Sequence, residues 1–338
     1  MITANDAHFR TELIERRQLL ARAARDTRRT ELRHLLADVD AALARLDQGT
    51  FGVCEVCHEY IGTRHLEHDP LATCCEEHPT VDEETRIHRD LALAHDLQLG
   101  LLPRHGLTID GWQFRYRYEA ASEVGGDFCD VIPVPERNET VVLVGDVSGK
   151  GVAASLLMSS LVATFRSLSS LALPTGELLS RVNALFNDSA PRASYATLAA
   201  ATLLPDGTID LYSAGHWPPL LTRGAAAEPV RIEAGLPLGL FPVSHYAPTR
   251  LVVSPDDTLL FYTDGAIDAE NGGGEDYSTP RLARALASAS ADPLDAVVER
   301  CLRDVRQFQA GRPATDDLLL FALKSGRAQG DRYRVRVQ

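Results

Sequence analysis

Residues 145–151 read GDVSGKG and directly follow a hydrophobic run. Three shorter segments also place an acid at the border of such a run: GGD at 125–127, TDG at 263–265 and TDD at 315–317. Carboxylates at strand ends, on turns that glycine makes tight, are how a β-rich scaffold gathers ligands for a hard metal ion. We therefore expect Asp127, Asp146, Asp264 and Asp316 to meet in one cleft.

Four acids in one cleft repel each other and need cations to remain charged. Ligand sets made only of oxygen favour Mg²⁺ or Mn²⁺ over Zn²⁺. Two such ions about 3.5–4 Å apart can share a bridging water and lower its pKa, which yields a hydroxide for attack on phosphorus. The pattern therefore predicts hydrolysis of a phosphoester, and the glycines of residues 145–151 do not have the spacing of a P-loop.

The composition describes an acidic, globular chain with ample core. Its 338 residues predict two or three folding units, and 45% of them are hydrophobic. The net charge of −13 excludes broad nucleic-acid binding, which needs a basic face. We see no leader and no apolar run as long as a membrane span, so we expect a cytoplasmic protein without a membrane partner. Six cysteines in such a chain indicate metal ligands or free thiols.

The N-terminal 6–47 region predicts a helical hairpin. One apolar stripe follows helical spacing, and a shorter set could face it across a break at Asp26-Thr27. The hairpin could be a simple packed pair or could also form a homodimer through these helices. The stripe consists of Leu32, Leu36, Val39, Leu43 and Leu46, and the facing set of Phe9, Leu13 and Leu20.

A Cys/His segment follows the hairpin. Cys54 and Cys57 form one ligand pair, and Cys75 and His78 form a second pair with the same two-residue gap. Such pairs bind one tetrahedral Zn²⁺, and four protein ligands leave no open position, so we expect a structural zinc ion. Cys74 is an adjacent alternative to Cys75.

Residues 40–57, DAALARLDQGTFGVCEVC, and residues 71–75, LATCC, resemble the DksA/TraR zinc-finger family. The resemblance covers about residues 5–80 and implies a helical hairpin that leads into the finger. Members of that family can bind RNA polymerase through an acidic hairpin tip. The corresponding residues 25–29 here read RDTRR and are basic, so RNA polymerase is not an expected partner.

Beyond the finger, residues 82–102 predict a leucine-rich helix that ends before Pro103. Strands and helices then follow without a regular βαβ alternation, which predicts an α+β sandwich. We divide the chain into a hairpin and finger (1–80), a regulatory linker helix (81–103), a catalytic domain (104–324) and a flexible tail (325–338). The expected strands are 112–119, 140–147, 196–204, 208–213, 258–262 and 318–323, and the expected helices are 151–171, 175–189, 280–289 and 292–309.

Six segments together resemble the PPM-type metal-dependent protein serine/threonine phosphatases, in the bacterial branch typified by SpoIIE and RsbU. The resemblance covers about residues 85–324. The segments are VGGDFCD (124–130), GDVSGKGVAA (145–154), SAGHWPPL (213–220), GLPLG (235–239), YTDG (262–265) and TDD (315–317).

This resemblance implies an α-β-β-α sandwich, with two antiparallel sheets flanked by helices and two Mn²⁺ or Mg²⁺ ions at one end. Asp146 matches the carboxylate that bridges the ions, and the backbone carbonyl of Val147 matches an adjacent ligand. Asp264 and Asp316 match ligands of the second ion, and Asp127 matches an acid that holds an ion directly or through water. Further residues match supporting positions: Asp130 and Asp317 would orient ligands, His216 would brace a turn, and Lys150 would cap a helix or lie near substrate.

The expected function is a protein-serine/threonine phosphatase in which Asp146 and Asp127 are catalytic and a hydroxide bridging two metal ions attacks the phosphoryl group. The resemblance implies a phosphorylated STAS-type anti-anti-sigma protein as substrate, and hence sigma-factor control. The alternative is a zinc-finger transcription regulator whose phosphatase-like domain is an inactive sensor. Retention of every acidic ligand argues against that alternative.

Overall fold

The computed structural model describes residues 4–26, 30–78, 81–191 and 193–326. The chain separates into two compact units, Met1–Asp90 and Leu91–Gln338. Each unit has its own buried core, and each is described here by itself.

In the first unit, helices α1 (Ala4–Asp26) and α2 (Thr30–Gln48) form the predicted hairpin. Phe9 and Leu13 of α1 are buried in one cluster with Val39 and Leu46 of α2. Arg10 lies 2.6 Å from Asp47 in an ion pair, and the next pair along the helices joins Arg17 to Asp40, so the helices run antiparallel. Helix α1 ends at Asp26 as predicted, and the rest of the predicted tip, residues 27–29, lies outside the described residues.

The finger lies between this hairpin and the next long helix. An antiparallel bridge joins Val53 to Tyr60, and the short helix α3 (Thr63–His68) follows. Ile61 and Leu66 extend the hairpin core into the finger. Helix α4 (Val81–Leu101) then begins in the first unit and ends in the second.

The second unit contains two mainly antiparallel sheets. Their strands are β1 (Thr108–Ile109), β2 (Trp112–Glu119), β3 (Phe128–Val134), β4 (Glu139–Val147), β5 (Ala196–Leu203), β6 (Thr208–Ala214), β7 (Leu220–Arg223), β8 (Ala226–Pro229), β9 (Ala234–Gly235), β10 (Thr249–Val252), β11 (Thr258–Tyr262) and β12 (Leu318–Ser325). One sheet has the order β1-β2-β12-β11-β7-β8 and the other β10-β6-β5-β4-β3, with β9 parallel to β6.

Helices cover the outer faces of both sheets. They are α5 (Gly151–Ser169), α6 (Thr175–Ser189), α7 (Asp264–Ile267), α8 (Thr279–Ser288) and α9 (Leu294–Gln309), besides the 3-10 turn Pro135–Arg137. The larger core contains the facing sides of the sheets together with α5 and α6, and the smaller core lies between the first sheet and α8 and α9. This layering confirms the predicted α+β sandwich.

In the part of the chain that the structure describes, one helix, α5, is long and apolar enough to cross a membrane by length and composition. The expectation that no run reaches this length is wrong on that measure. Helix α5 is this apolar because one of its faces packs into the larger core, where Met158, Leu161 and Phe165 are fully buried. The core helix of a protein passes the same test.

Candidate active site and metal centres

The four predicted acids lie at strand borders in both sheets. Asp127 directly precedes β3, and Asp146 is the last residue but one of the neighbouring strand β4. Asp264 is the first residue of α7, just after β11, and Asp316 lies just before the neighbouring strand β12. Each sheet therefore contributes two acids from adjacent strands.

Three of these acids have a raised pKa, and the charges of neighbouring acids are among the causes. Burial, then the charges of Asp264 and Asp316, raise the pKa of Asp146 to about 7. Burial and the charge of Asp146 raise the pKa of Asp127 well above its usual value. Burial and the charge of Asp316 raise the pKa of Asp264. The cleft thus concentrates negative charge in a poorly solvated place, which a divalent cation would relieve.

The acids are nevertheless spread more widely than the ligands of a single ion. Within the described ranges, the only set of three or more Cys, His or acidic residues with all ligand atoms inside 4.8 Å is in the zinc-finger segment. Among the described residues, no three of these acids therefore form a cluster of that size.

Two glycines let the loop before β3 approach the cleft. A Cβ on Gly126 would lie 2.6 Å from the carbonyl oxygen of Val147, and a Cβ on Gly125 would lie 1.9 Å from Oδ2 of Asp317. The side chain of Asp317 occupies the space beside Gly125. Its carboxylate accepts hydrogen bonds from the N–H of Gly126 at 2.7 Å and from the N–H of Ala121 at 2.8 Å. Asp317 therefore shapes the loop that carries Asp127, in agreement with its predicted orienting position.

Thr263 is a site residue that sequence reasoning missed. Its hydroxyl donates to Oδ2 of Asp127 at 2.6 Å and accepts from the N–H of Leu319 at 2.9 Å. Its place directly before Asp264 in the TDG segment was the available signal. The bond fixes one carboxylate oxygen of Asp127.

His216 was expected to brace the turn before Trp217, and the structure shows its ring in contact with two strands. Its Nε2 lies 3.1 Å from the carbonyl oxygen of Tyr262, and its Nδ1 lies 2.7 Å from Oγ1 of Thr197. Because a carbonyl only accepts, Nε2 carries the proton and Nδ1 accepts from the Thr197 hydroxyl. Burial lowers the pKa of His216 to about 4, so the ring is neutral and ties β5 to the end of β11.

Two other predicted positions have different surroundings. Lys150 occupies the N-cap position of α5 without a capping side-chain bond; its Nζ lies 2.9 Å from Oδ2 of Asp316 and donates to the carbonyl of Thr315. The carboxylate of Asp130 binds Arg166 of α5 through two hydrogen bonds of 2.7 and 3.1 Å. Lys150 is thus at the cleft, whereas Asp130 anchors a helix.

The predicted zinc ligands form a separate centre in the first unit. The ligand atoms of Cys54, Cys57, Cys75 and His78 all lie within 4.8 Å of one another. Nδ1 of His78 is 3.1 Å from Sγ of Cys75, which favours Cys75 over its neighbour Cys74. Hydrogen bonding, led by the N–H of Cys57, lowers the pKa of Cys54 to about 6, so this thiol is a thiolate near neutral pH. Three thiols and one imidazole fit a tetrahedral Zn²⁺.

Comparison with known families gives one match that covers more than half of the chain. The model of the family described as Stage II sporulation protein E (SpoIIE) matches residues 136–325.

Curated relatives match parts of the chain. Protein IcfG from Synechocystis is 24% identical over 69% of this chain and 41% of its own length. Phosphoserine phosphatase RsbP from Bacillus subtilis is 27% identical over 53% of this chain and 45% of its own length. The chain therefore spans less than half the length of these two relatives. The RNA polymerase-binding transcription factor DksA from Caulobacter vibrioides is 35% identical over 92 residues, or 25% of this chain and 65% of its own length.

Solved structures agree with the sandwich fold. The RsbU and RsbW domains of Rv1364c from Mycobacterium tuberculosis are 28% identical, with a TM-score of 0.55 over 64% of this chain and 64% of that chain. The SiaA-PP2C domain of Pseudomonas aeruginosa has a TM-score of 0.63 over 73% of this chain and 99% of that chain. Its sequence identity of 18% makes that likeness one of fold alone.

Proposed function

This chain belongs to the SpoIIE family of PPM-type phosphatases, and from that premise we propose that it hydrolyses phosphoserine or phosphothreonine in a protein with the help of two divalent metal ions. The membership agrees with the resemblance found in the sequence. The activity is our proposal, supported by the chemistry of the cleft.

The observation that carries this proposal is the gathering of acids from both sheets. Burial and the charges of neighbouring acids raise the pKa of Asp127, Asp146 and Asp264. Lys150 forms an ion pair with Asp316 beside them. These carboxylates and the carbonyl of Val147 are the residues that would hold Mn²⁺ or Mg²⁺, since hard ions prefer oxygen ligands. When bound, two such ions supply a water of lowered pKa and a positive charge that attracts the phosphoryl group.

The chain's own residues place these ligands. Thr263 fixes one oxygen of Asp127, and Asp317 holds the preceding loop through two backbone N–H groups. Lys150 balances the charge of Asp316. We assign the bridging position to Asp146, because Asp127 forms a hydrogen bond with it and the charges of Asp264 and Asp316 act on it.

A protein substrate suits the surface beside the cleft. Ser148 lies two residues after Asp146, and its N–H donates to the carbonyl oxygen of Tyr195 at 2.9 Å. The N–H of Tyr195 in turn donates to Oγ of Ser148 at 3.0 Å. Tyr195 is exposed, and so are Trp217 and several side chains of the 236–243 loop. Exposed apolar groups on a fixed framework are typical of protein-binding surfaces.

The substrate we propose is a phosphorylated STAS-type anti-anti-sigma protein, so that the enzyme would control a sigma factor from the cytoplasm. Support comes from the relatives, one named a phosphoserine phosphatase and another carrying RsbU and RsbW domains in one chain. The finger would hold Zn²⁺ through Cys54, Cys57, Cys75 and His78 and act as a sensor or docking module. Helix α4 would serve as the regulatory linker.

Replacement of Asp146 tests the activity. We expect Asp146→Asn to lower Mn²⁺-dependent hydrolysis of a phosphopeptide by at least about a thousandfold, because it removes the shared charge between two ions. The matched control is Asp188→Asn, which changes an exposed acid on α6 and should leave turnover unaltered. Turnover is measured as phosphate release with and without added manganese.

The same assay separates the enzyme from the alternative of an inactive sensor. Wild-type protein that releases no phosphate from phosphopeptides or from phosphorylated STAS proteins, at saturating manganese, would refute the enzyme. A thousandfold loss in Asp146→Asn alone would refute the inactive sensor. A binding assay with RNA polymerase, on the same preparations, tests the transcription-factor variant of that alternative.

A further inference from the structure

Lys150 places a positive charge among the acids of the cleft. Of the basic side chains that the structure describes, it alone forms an ion pair with one of the four predicted metal ligands. Its bond to Asp316, together with the charges of Asp317 and Asp264, raises the pKa of Lys150, so the side chain is an ammonium ion at neutral pH. A metal ion that approaches these acids therefore meets another cation beside them.

Both carboxylate oxygens of Asp316 have a partner in the chain. Oδ2 lies 2.9 Å from Nζ of Lys150, and Oδ1 accepts from the N–H of Asp317 at 3.0 Å. The same ammonium also donates to the carbonyl oxygen of Thr315. A divalent ion that takes Oδ2 as a ligand must displace the ammonium or share the oxygen with it, and at that separation two cations repel each other strongly.

The backbone holds Lys150 at the cleft, whereas its side chain can withdraw. Gly149 and Gly151 flank it with φ of +103° and +67°, values that glycine adopts readily, so a tight turn brings Lys150 to Asp316. The side chain of Lys150 is 60% exposed. Because lysine carries a compact ammonium on a flexible stem, it can leave Asp316 for water while the backbone stays in place.

We propose that Lys150 competes with a divalent cation for Asp316 and thereby lowers the affinity of the cleft for one of its two ions. Within the described ranges, no basic side chain pairs with Asp127 or Asp146, so the two ions should bind with different affinities. One side chain then sets the metal concentration at which the weaker position fills. The inference rests on the proposed metal-dependent function, whereas the contact between Lys150 and Asp316 does not.

The test uses the full chain, prepared with Zn²⁺, and variants of the two lysines in the sequence. Lys150→Met removes the charge and keeps an unbranched side chain, and Lys150→Gln replaces it if the methionine variant fails to fold. Lys150→Arg keeps the charge. The matched control is Lys324→Met, which loses the same charge near the other end of β12, where Lys324 lies opposite Thr258.

Calorimetric titration with Mn²⁺ measures the competition without any substrate. The weaker Mn²⁺ site should bind at least about tenfold more tightly in Lys150→Met, and within about threefold of wild type in Lys150→Arg and Lys324→Met. The Mn²⁺ concentration that gives half-maximal phosphate release from a phosphopeptide should fall by a similar factor in Lys150→Met. Damage to the fold would weaken metal binding, so a merely structural role of Lys150 cannot produce this gain.

The outcomes are distinct. Unchanged or weaker Mn²⁺ binding in folded Lys150→Met would overturn the inference, and so would an equal gain in Lys150→Arg or in Lys324→Met. None of these results touches the proposed activity, which phosphate release by the wild type tests separately. Wild-type protein that neither binds Mn²⁺ nor releases phosphate would refute the proposed function together with the inference. A gain confined to loss of the charge at Lys150 supports the inference.

Discussion

At the scale of single residues, the cleft is built by hydrogen bonds between distant parts of the sequence. Thr263 follows a strand of one sheet and bonds Asp127, which precedes a strand of the other, across 136 positions. The acids were predictable because each borders an apolar run and most adjoin glycine. Thr263 was not, since its importance comes from a partner that spacing along the chain does not reveal.

The buried ring of His216 makes stability depend on pH. Its pKa is about 4 when folded and about 6.5 when unfolded, so between these values the unfolded chain binds the additional proton. The neutral ring of His216 therefore contributes its full stabilisation above about pH 6.5. As the pH falls toward 4, this contribution to the free energy of unfolding is lost, about 3 kcal/mol in total. Urea unfolding followed by tryptophan fluorescence measures this, because both tryptophans, Trp112 and Trp217, are in the second unit.

The comparison for this prediction is His216→Gln, which lacks the titrating ring. We expect its stability to fall less steeply with acidification than that of wild type over the same interval. Parallel pH profiles for the two proteins would contradict the assignment of a neutral, buried His216.

At the scale of helices and strands, long patterned elements were predicted well and short ones were missed. The hairpin turn at Pro205-Asp206-Gly207 joins β5 to β6 as expected, with Gly207 at φ +85°. Strand β3 was missed because Pro133 interrupts its pattern, although its backbone pairs fully with β4. The short strands β7, β8 and β10 each have four residues and depend on their neighbours in the sheet rather than on their own composition.

The finger offers a test between two adjacent thiols. Cys75→Ser should lose bound zinc, because it removes a ligand from the four-residue set, whereas Cys74→Ser should retain about one zinc per chain. Metal content after dialysis, measured by mass spectrometry, decides between them. Equal zinc content in the two variants would show that the ligand assignment is wrong.

At the scale of the whole molecule, the chain contains a finger-bearing unit and a second unit with the phosphatase-type fold. The boundary between the compact units falls after Asp90, inside α4, whereas the sequence suggested domain borders on either side of that helix. Helical periodicity shows where α4 begins and ends but not which residues pack against which unit. The predicted domain division and the predicted homodimer both stay predictions.

Removal of the first unit tests its regulatory role. We expect a chain of residues 80–338 to keep Mn²⁺-dependent turnover, at a rate that differs from the full chain by about fivefold or more, since allosteric coupling usually reaches that size. Light scattering of both proteins would show whether the N-terminal helices form the expected dimer. Identical turnover rates of the full and the shortened chain would remove the basis for regulation.

The variant Cys75→Ser, made in the full chain, should shift the turnover rate toward that of the shortened chain.

Strand β12 is the last strand among the described residues, yet it is an inner strand of its sheet, between β2 and β11. Asp317, just before β12, accepts a hydrogen bond from the N–H of Gly126, which lies 191 positions earlier in the loop ahead of Asp127. A nascent polypeptide therefore cannot complete the cleft until its C-terminal segment has left the ribosome. A message that terminates before Asp317 would yield a fragment whose first sheet lacks an inner strand and whose loop ahead of Asp127 lacks one of its hydrogen bonds.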